Sequence, residues 1–342
     1  SQGLTSLSNE AIKQLSCLIR VPTVTQGIFS ALEPTLKIFL ASNELTTLPC
    51  ELFMLDHLQV LSLRGNMISD LPANIKNLSN LKELNLSQND LKYLPFEILT
   101  LLSENGHLES LSLHPNLFYQ PQLSLNNAKS RKFKNNFTSY ISSCPTSICH
   151  TPKANVGEIL NNRWIARFQV RTEVRFFDIN GKMLKGPIFP APTSHLGPHL
   201  LPIANDDYYP EPPPSRGDGL CRVPSLLETA LAACAKTPQL PYLATHLPED
   251  TPDYLFEILK LAISKKETGE STCTVCNRKF FIARTEWVEW WEISKAGNFK
   301  PNEPLIETDN RDNIERMVPL IRRGCSWLCV PRPYPLQQSS SC

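Results

Sequence analysis

The chain has 342 residues, enough for two domains, with 41% hydrophobic and 20% charged side chains, a composition ordinary for a soluble protein. No run of 18 or more apolar residues is present to span a membrane, and no secretory signal opens the chain, so its 11 cysteines read as reduced thiols plus a metal site in a cytoplasmic protein, with the nucleus as a second compartment. The formal net charge of +1 conceals an asymmetry: residues 1–120 carry −4, residues 121–185 carry +8 and the remainder −3.

In chain order, residues 1–34 are irregular. Gln2-Gly3-Leu4-x-x-Leu7 fits half of the unit described next, and Val24-Thr25-x-x-Ile28 fits part of another, 17 residues after Leu7 instead of 23. With Ser1 rather than Met in first place, the array is expected to continue upstream.

Thr35 to Asn116 carries one pattern four times. Leu58-x-x-Leu61-x-Leu63-x-x-Asn66-x-Ile68-x-x-Leu71-Pro72 aligns with Leu81-x-x-Leu84-x-Leu86-x-x-Asn89-x-Leu91-x-x-Leu94-Pro95. An earlier copy runs through Ile38, Leu40, Asn43 and Leu48-Pro49, and a later one (Leu108, Leu111, Leu113, Asn116) follows an insertion around Ser103-Glu104-Asn105-Gly106. Asn43, Asn66 and Asn89 are 23 residues apart, which resembles the leucine-rich repeat, whose units run about 20–29 residues. In such a unit each L-x-L is a short strand with its leucines inward, the Asn turns the chain and bonds backbone groups inside the coil, and Leu-Pro starts the convex return. The outward residues Ser62, Arg64, Asn85, Ser87, Ser112 and His114 are expected to line a concave face that receives a protein partner.

From 118 to 155 a Ser-, Asn-, Lys- and Pro-rich stretch is predicted to be a flexible linker, and its Cys144, Cys149 and His150 lack the partner cysteines of a metal site. Residues 156–185 are predicted to form a short helix and hairpin. Arg163, Arg167, Arg171 and Arg175 recur every fourth residue beside Trp164 and Phe168, one basic face on a helix, before Val174–Ile179 runs into the turn Asn180-Gly181. That face reads either as a solvated surface with its Trp inward or as a groove-binding surface for nucleic acid. Gly186 to Pro224 holds ten prolines, and residues 186–222 read as an extended Pro-rich linker.

Residues 223–331 form the second informative region, followed by a tail at 332–342. Cys273-Thr-Val-Cys276 and Cys325-Ser-Trp-Leu-Cys329 are two close pairs whose four thiolates can close a tetrahedral zinc site of structural type, with buried unliganded cysteines and a disulfide as the alternatives. The 48 residues between the pairs exceed the usual spacing of a zinc ribbon. Upstream, Ser225 with Glu228 three positions later reads as a capping box opening a helix, with Leu226, Ala230 and Cys234 on one face and Leu227 and Leu231 beside them. A second amphipathic run follows Leu247-Pro248 and ends near Ile263.

Repeats followed by this order of helix, Leu-Pro, Cys-x-x-Cys, aromatic strand and Gly-Cys-Ser-x-x-Cys resemble a family of intracellular leucine-rich-repeat proteins of the short, Ras-group-related type, with fungal and animal members. The helix pair also resembles a SOCS box. That resemblance implies that Ser225, Leu226, Ala230 and Cys234 dock on elongin C while Leu247-Pro248 helps select a cullin. Ala230 stands where cysteine is commoner, and Asp250-Thr251 replaces a more apolar stretch. The same residues also fit an amphipathic helix packed on its own zinc module.

The expected fold class is thus α/β: a leucine-rich-repeat solenoid over 1–117, with short parallel strands and an irregular convex side, then flexible and Pro-rich linkers, then a small α+β zinc-clasped module. No nucleophile–base pair, phosphate-cradling glycine loop or open metal triad is legible. A non-enzymatic adaptor is expected, serving as substrate receptor of an elongin–cullin ubiquitin ligase if the SOCS-box resemblance holds. The alternative is a nucleic-acid-associated zinc-binding protein.

Overall fold

The computed structural model describes residues 3–18, 35–122, 158–159, 163–191, 197–203, 224–298 and 316–331. The half-unit at Val24–Ile28, the cysteines Cys144 and Cys149, most of the 118–155 linker and the tail lie outside the described residues.

The N-terminal part begins with helix α1 (Asn9–Leu18) and contains strands β1 (Leu36–Phe39), β2 (Leu58–Ser62) and β3 (Glu83–Asn85), the short β4 (Leu94–Pro95), helix α2 (Ile98–Leu102), β5 (Ser110–Ser112) and β6 (Gln120–Pro121). Strands β1-β2-β3-β5 form a parallel sheet with Ile38, Leu61, Leu84 and Leu111 in one register row and Phe39, Ser62, Asn85 and Ser112 in the next. Alternation puts the first row inward, where Leu61 and Leu84 are at most 1% exposed, and the second row outward.

The asparagines form a ladder through the turns. Asn66 Oδ1 accepts the Leu45 amide at 3.1 Å, and its Nδ2 donates to the carbonyls of Leu40 and Leu63. Asn89 does the same for Ile68, Leu63 and Leu86, and Asn116 for Leu91, Leu86 and Leu113. At the other end the Leu4 amide donates to Asn43 Oδ1, so Gly3-Leu4 occupies the place that Glu44-Leu45 holds one unit later. The chain returns after Leu48-Pro49 and Leu71-Pro72 through one-turn 3-10 helices at Cys50–Met54 and Ala73–Asn77, each with the proline at its N-cap. In the insertion, Gly106 passes so close to Leu101 that a Cβ there would lie 2.0 Å from the Leu101 carbonyl oxygen.

The C-terminal part adds β7 (Glu158–Ile159), β8 (Trp164–Arg171), β9 (Arg175–Phe177), β10 (Met183–Lys185), β11 (His199–Leu200), helices α3 (Leu226–Ala235) and α4 (Asp253–Thr268), the hairpin strands β12 (Ser271–Thr272) and β13 (Lys279–Phe280), and the long β14 (Thr285–Lys295) and β15 (Met317–Gly324). Strand β14 is the spine of a seven-stranded sheet: it pairs antiparallel with β15 along one side and with β8 and β9 along the other. Buried on both faces, it reads as a nearly unbroken run of large side chains, with Trp287 and Trp290 at 0% exposure.

Two stretches differ from the sequence expectation. Residues 164–171 are a strand, not a helix. A spacing of four keeps arginines together both on a helix and on one face of a strand, and the alternation Ala166, Phe168, Val170 decides for the strand. Part of the Pro-rich region, residues 197–200, is also packed instead of free. Strand β11 pairs with β6, Leu200 is buried, and Gly197 crosses so near Phe118 that a Cβ would meet its carbonyl oxygen at 1.6 Å.

The repeats and the second sheet share one core. Strand β4, the third Leu-Pro of the array, pairs parallel with β15 through Leu94↔Leu320 and Pro95↔Ile321. Trp164, Phe168, Trp291 and Leu320 join the repeat leucines in a single apolar cluster, and Trp164 Nε1 donates to the Leu108 carbonyl at 2.7 Å. Helix α4 reaches back to the first turn of α1, where Asn9 Nδ2 donates to the Glu267 carbonyl.

Candidate functional site

The two cysteine pairs meet. Cys273 and Cys276 lie on the turn between β12 and β13, which is closed by Cys273 N–H to Arg278 O at 2.8 Å and Asn277 N–H to Cys273 O at 2.9 Å. Asn277 takes the left-handed conformation that such a turn requires, with φ at 60°. The amides of Val275 and Cys276 both point at the Cys273 sulfur, at 3.4 Å. Cys325 and Cys329 follow β15 on a turn pinned by Thr285 Oγ1, which donates to the Cys329 carbonyl at 2.6 Å. The 48 residues that separate the pairs in sequence include β13, β14 and β15, and the antiparallel pairing of Thr285 in β14 with Gly324 in β15 returns the chain to its starting end.

All four sulfurs lie within 4.8 Å of one another, with Cys276–Cys325 at 3.4 Å and Cys329 at 3.8 Å from both Cys276 and Cys325. Four thiolates about 2.3 Å from a tetrahedral zinc ion would stand about 3.8 Å apart, whereas a disulfide requires about 2.05 Å. The thiols of Cys273 and Cys325 hold the Cys329 thiol far below the usual range, and Cys325, facing Cys273 and Cys329, is pushed far above it. The crowded thiols of Cys273, Cys325 and Cys329 thus share protons that a cation would displace. The donor set fits a metal ion with four protein ligands, which leaves no open position for chemistry.

Helix α3 is the second site. Ser225 is its N-cap, with Oγ accepting the Glu228 amide at 3.1 Å. Glu228 does not complete a capping box: its carboxylate accepts the amides of Phe281 and Ile282 instead, the second at 3.4 Å. Burial pushes the Glu228 carboxyl upward, against the pull of those two amides. Leu231 is buried against Phe281, Ile282, Ile258 and Ala262, with Leu227 and Cys234 half-buried beside it. On the opposite side Leu226 is 86% exposed and Ala230 is exposed. Farther on, Leu247 is half-buried and Pro248 exposed.

The concave face is less uniform than its pattern. Ser62, Asn85 and Ser112 share the outward row, and Arg64 is exposed with Nε donating to Gln88 Oε1 at 3.0 Å. Ser87 is buried and turned back, its hydroxyl donating to Asn85 Oδ1 at 2.7 Å, and His114 is half-buried edge-on to Phe118. Sequence reasoning missed Phe39, 69% exposed at the head of the row. Its signal was present, since Ile38-Phe39-Leu40 places Phe39 in the slot that Ser62 fills in the next unit.

The arginines of β8 and β9 are drawn into the sheet. Arg167 and Arg316 flank Glu292, Arg175 and Arg323 flank Glu286, and Arg322 pairs with Glu289, which also accepts the indole N–H groups of Trp287 and Trp291. No basic helical face is formed: residues 164–171 are a strand, Arg167 and Arg175 meet carboxylates of β14, and Arg316, Arg322 and Arg323 complete the pairs. A cavity of about 270 Å³ lies where the repeat turns, α4 and β15 meet, lined by Asp70, Glu97, Lys265 and Arg323 among others. No helix of the described residues is long and apolar enough to cross a membrane.

Comparison with curated proteins gives no match. Among solved structures, the chain is similar to an LRR protein of Leptospira interrogans, at 40% identity over 25% of this chain and 21% of that one, with a TM-score of 0.23. The match thus spans about a fifth of that protein's length. The family described as leucine rich repeat matches residues 34–91, the stretch that carries β1, β2, β3 and the asparagines Asn43, Asn66 and Asn89.

Proposed function

We propose that the chain is a non-enzymatic adaptor, with the concave sheet gripping a protein client and α3 docking on elongin C, which a cullin then joins to form a ubiquitin ligase. Repeat arrays of this kind present extended surfaces for protein partners. The observation that carries the docking step is Leu226: a capped helix buries Leu231 and turns Leu226 out to solvent at 86% exposure. A large apolar side chain held outward on an ordered helix suits a helix-in-groove contact. Leu247 and Pro248 would then face the cullin. The same reading puts a zinc ion on Cys273, Cys276, Cys325 and Cys329 in a structural role, and the protein in the cytoplasm and nucleus.

The test is affinity purification of the tagged full chain from cells, comparing wild type with Leu226→Glu by mass spectrometry. Elongin C and a cullin are expected with the wild type and lost by about tenfold or more with the variant, as for a central apolar anchor. Their absence from the wild type, or undiminished recovery with Leu226→Glu, overturns the ligase reading. Association with nucleic acid is the weaker reading, since Arg167 and Arg175 already face Glu292 and Glu286. It requires an affinity that falls steeply with salt.

A further inference from the structure

We infer that Glu228 is a positioning residue through which the metal centre controls how Leu226 is presented. This deepens the docking reading above and rests on it for its biological meaning, though the link itself is a property of the chain alone.

The connection runs through one short segment. Phe280 ends the hairpin that carries Cys273 and Cys276, and it packs directly on Cys273 and Cys329. The next two residues, Phe281 and Ile282, are each 5% exposed and form the apolar floor under Leu231, Leu240, Ile258 and Ala262. Their amides are the groups that Glu228 accepts. The polar footing of the N-terminal half of α3 and part of its apolar footing, which it shares with α4, therefore stand on residues 281–282, which directly follow the hairpin that carries the cysteines.

The two helices are held differently. Helix α4 has a second anchorage on the repeats, where Asn9 Nδ2 donates to Glu267 O and the Cys50 thiol donates to Lys266 O. Helix α3 has ten residues, too few to persist alone in water. Its far end is tied to α4 by Lys266 Nζ donating to Thr237 O. Its N-terminal half, which displays Leu226, is tied by Glu228. Four sulfurs joined by a metal ion would fix the hairpin against the Cys325–Cys329 turn. Without that joint, residues 280–282 lose their footing and the N-terminal half of α3 is released. Metal loading thus decides whether Leu226 stands on a formed helix.

The test is hydrogen exchange on the full chain, zinc-loaded and then treated with a chelator, for wild type, Glu228→Ala and Glu228→Gln. The amides of residues 229–235 report on α3, those of Leu61 and Leu84 on the repeats, and zinc content confirms loading. In the wild type, chelation is expected to lower α3 protection about tenfold or more while Leu84 is unmoved, the size set by losing hydrogen bonds to a charged group. In Glu228→Ala, α3 is expected to be weakly protected even with zinc bound, and chelation should change it by less than about twofold. Glu228→Gln keeps one acceptor oxygen and should recover part of the metal dependence. If Glu228→Ala lowers protection equally in both metal states, Glu228 is only structural and the link is overturned. Unchanged α3 protection after chelation, or loss at Leu84 in step with α3, overturns it as well. Elongin C capture separates the two ideas. No capture by zinc-loaded wild type overturns the docking reading while leaving the exchange result standing; undiminished capture after chelation overturns the link alone.

Discussion

In the repeats, Asn66 and Asn89 are each 6% exposed and neutral, and their amides meet backbone groups of the neighbouring turns. In the second sheet, Glu289 and Glu292 are 3% and 0% exposed; arginines from elsewhere in the chain meet both carboxylates, and two indoles of the same strand also meet that of Glu289. The repeat solves the burial of polar atoms with a local, neutral rung that can be copied every 23 residues. The sheet solves it with charges, and each charge relies on a partner far away in sequence. A neutral rung that is lost leaves one backbone amide without its acceptor, whereas a lost half of an ion pair leaves a charge without its counter-charge at a largely buried position.

The contrast predicts its own largest effect at Glu292. Arg167 Nη2 stands 2.7 Å from one of its oxygens, and Arg316 meets the other. Glu292→Ala should destabilise the chain by about 3–5 kcal/mol, because two largely buried guanidinium groups lose the carboxylate that both face. Replacing Glu292, Arg167 and Arg316 together by apolar residues should recover most of that loss. Denaturant unfolding of the single and triple variants checks this, and a triple variant no better than Glu292→Ala would show that the loss is one of packing rather than charge.

A smaller loss is expected in the repeats. Asn89→Ala removes the acceptor of the buried Ile68 amide and one of the two asparagine donors to each of the Leu63 and Leu86 carbonyls, at a cost of about 1–3 kcal/mol. Asn43 supports the exposed Leu4 at the end of the array, where water can replace a lost bond, so Asn43→Ala should cost about 0.5–1 kcal/mol. Equal losses at the two positions, measured by the same unfolding experiment, would break the idea that each rung is worth what its burial makes it.

Locality also explains what was legible beforehand. The L-x-L strands, the asparagine turns and the Leu-Pro returns are each specified within one unit, so the pattern read along the chain is the structure. The cysteine pairs were legible for the same reason, each being a turn within five residues, and the aromatic, β-prone run at residues 287–293 was legible as a strand, while its pairing with β8, more than 100 residues earlier, was not. Arg167 and Glu292 are 125 positions apart, and nothing near either residue announces the other. A spacing of four disguised β8 as a helix. Glu228 fitted a capping box in sequence, but the amides of Phe281 and Ile282, 53 and 54 residues on, compete for the same carboxylate and hold it. Periodicity groups Leu226 with Ala230 and Cys234; that the first two are open to solvent and the third half-buried depends on where α4 and the hairpin settle.

The seam between the two regions offers the finest test of the contrast, because Glu97 belongs to the repeats yet sits under the arginines of β15. Burial drives its carboxyl above the ordinary range, against the pull of its own amide and of Lys76, Arg323 and Arg322. A carboxyl raised in the fold takes up its proton more readily there than in the unfolded chain. Its stabilising contribution is therefore full below the ordinary carboxyl value and is lost as pH rises through the raised one. Above that point the fold carries a charge that burial opposes. Glu97→Gln mimics the protonated form at every pH, so it should give a small rise in Tm at neutral pH that vanishes in acid. Thermal melts of the two proteins across that range decide it. A variant that is less stable at neutral pH would mean that the charge of Glu97 is matched to Arg322 and Arg323, and that the charged manner of burying polar groups reaches across β4 into the last repeat.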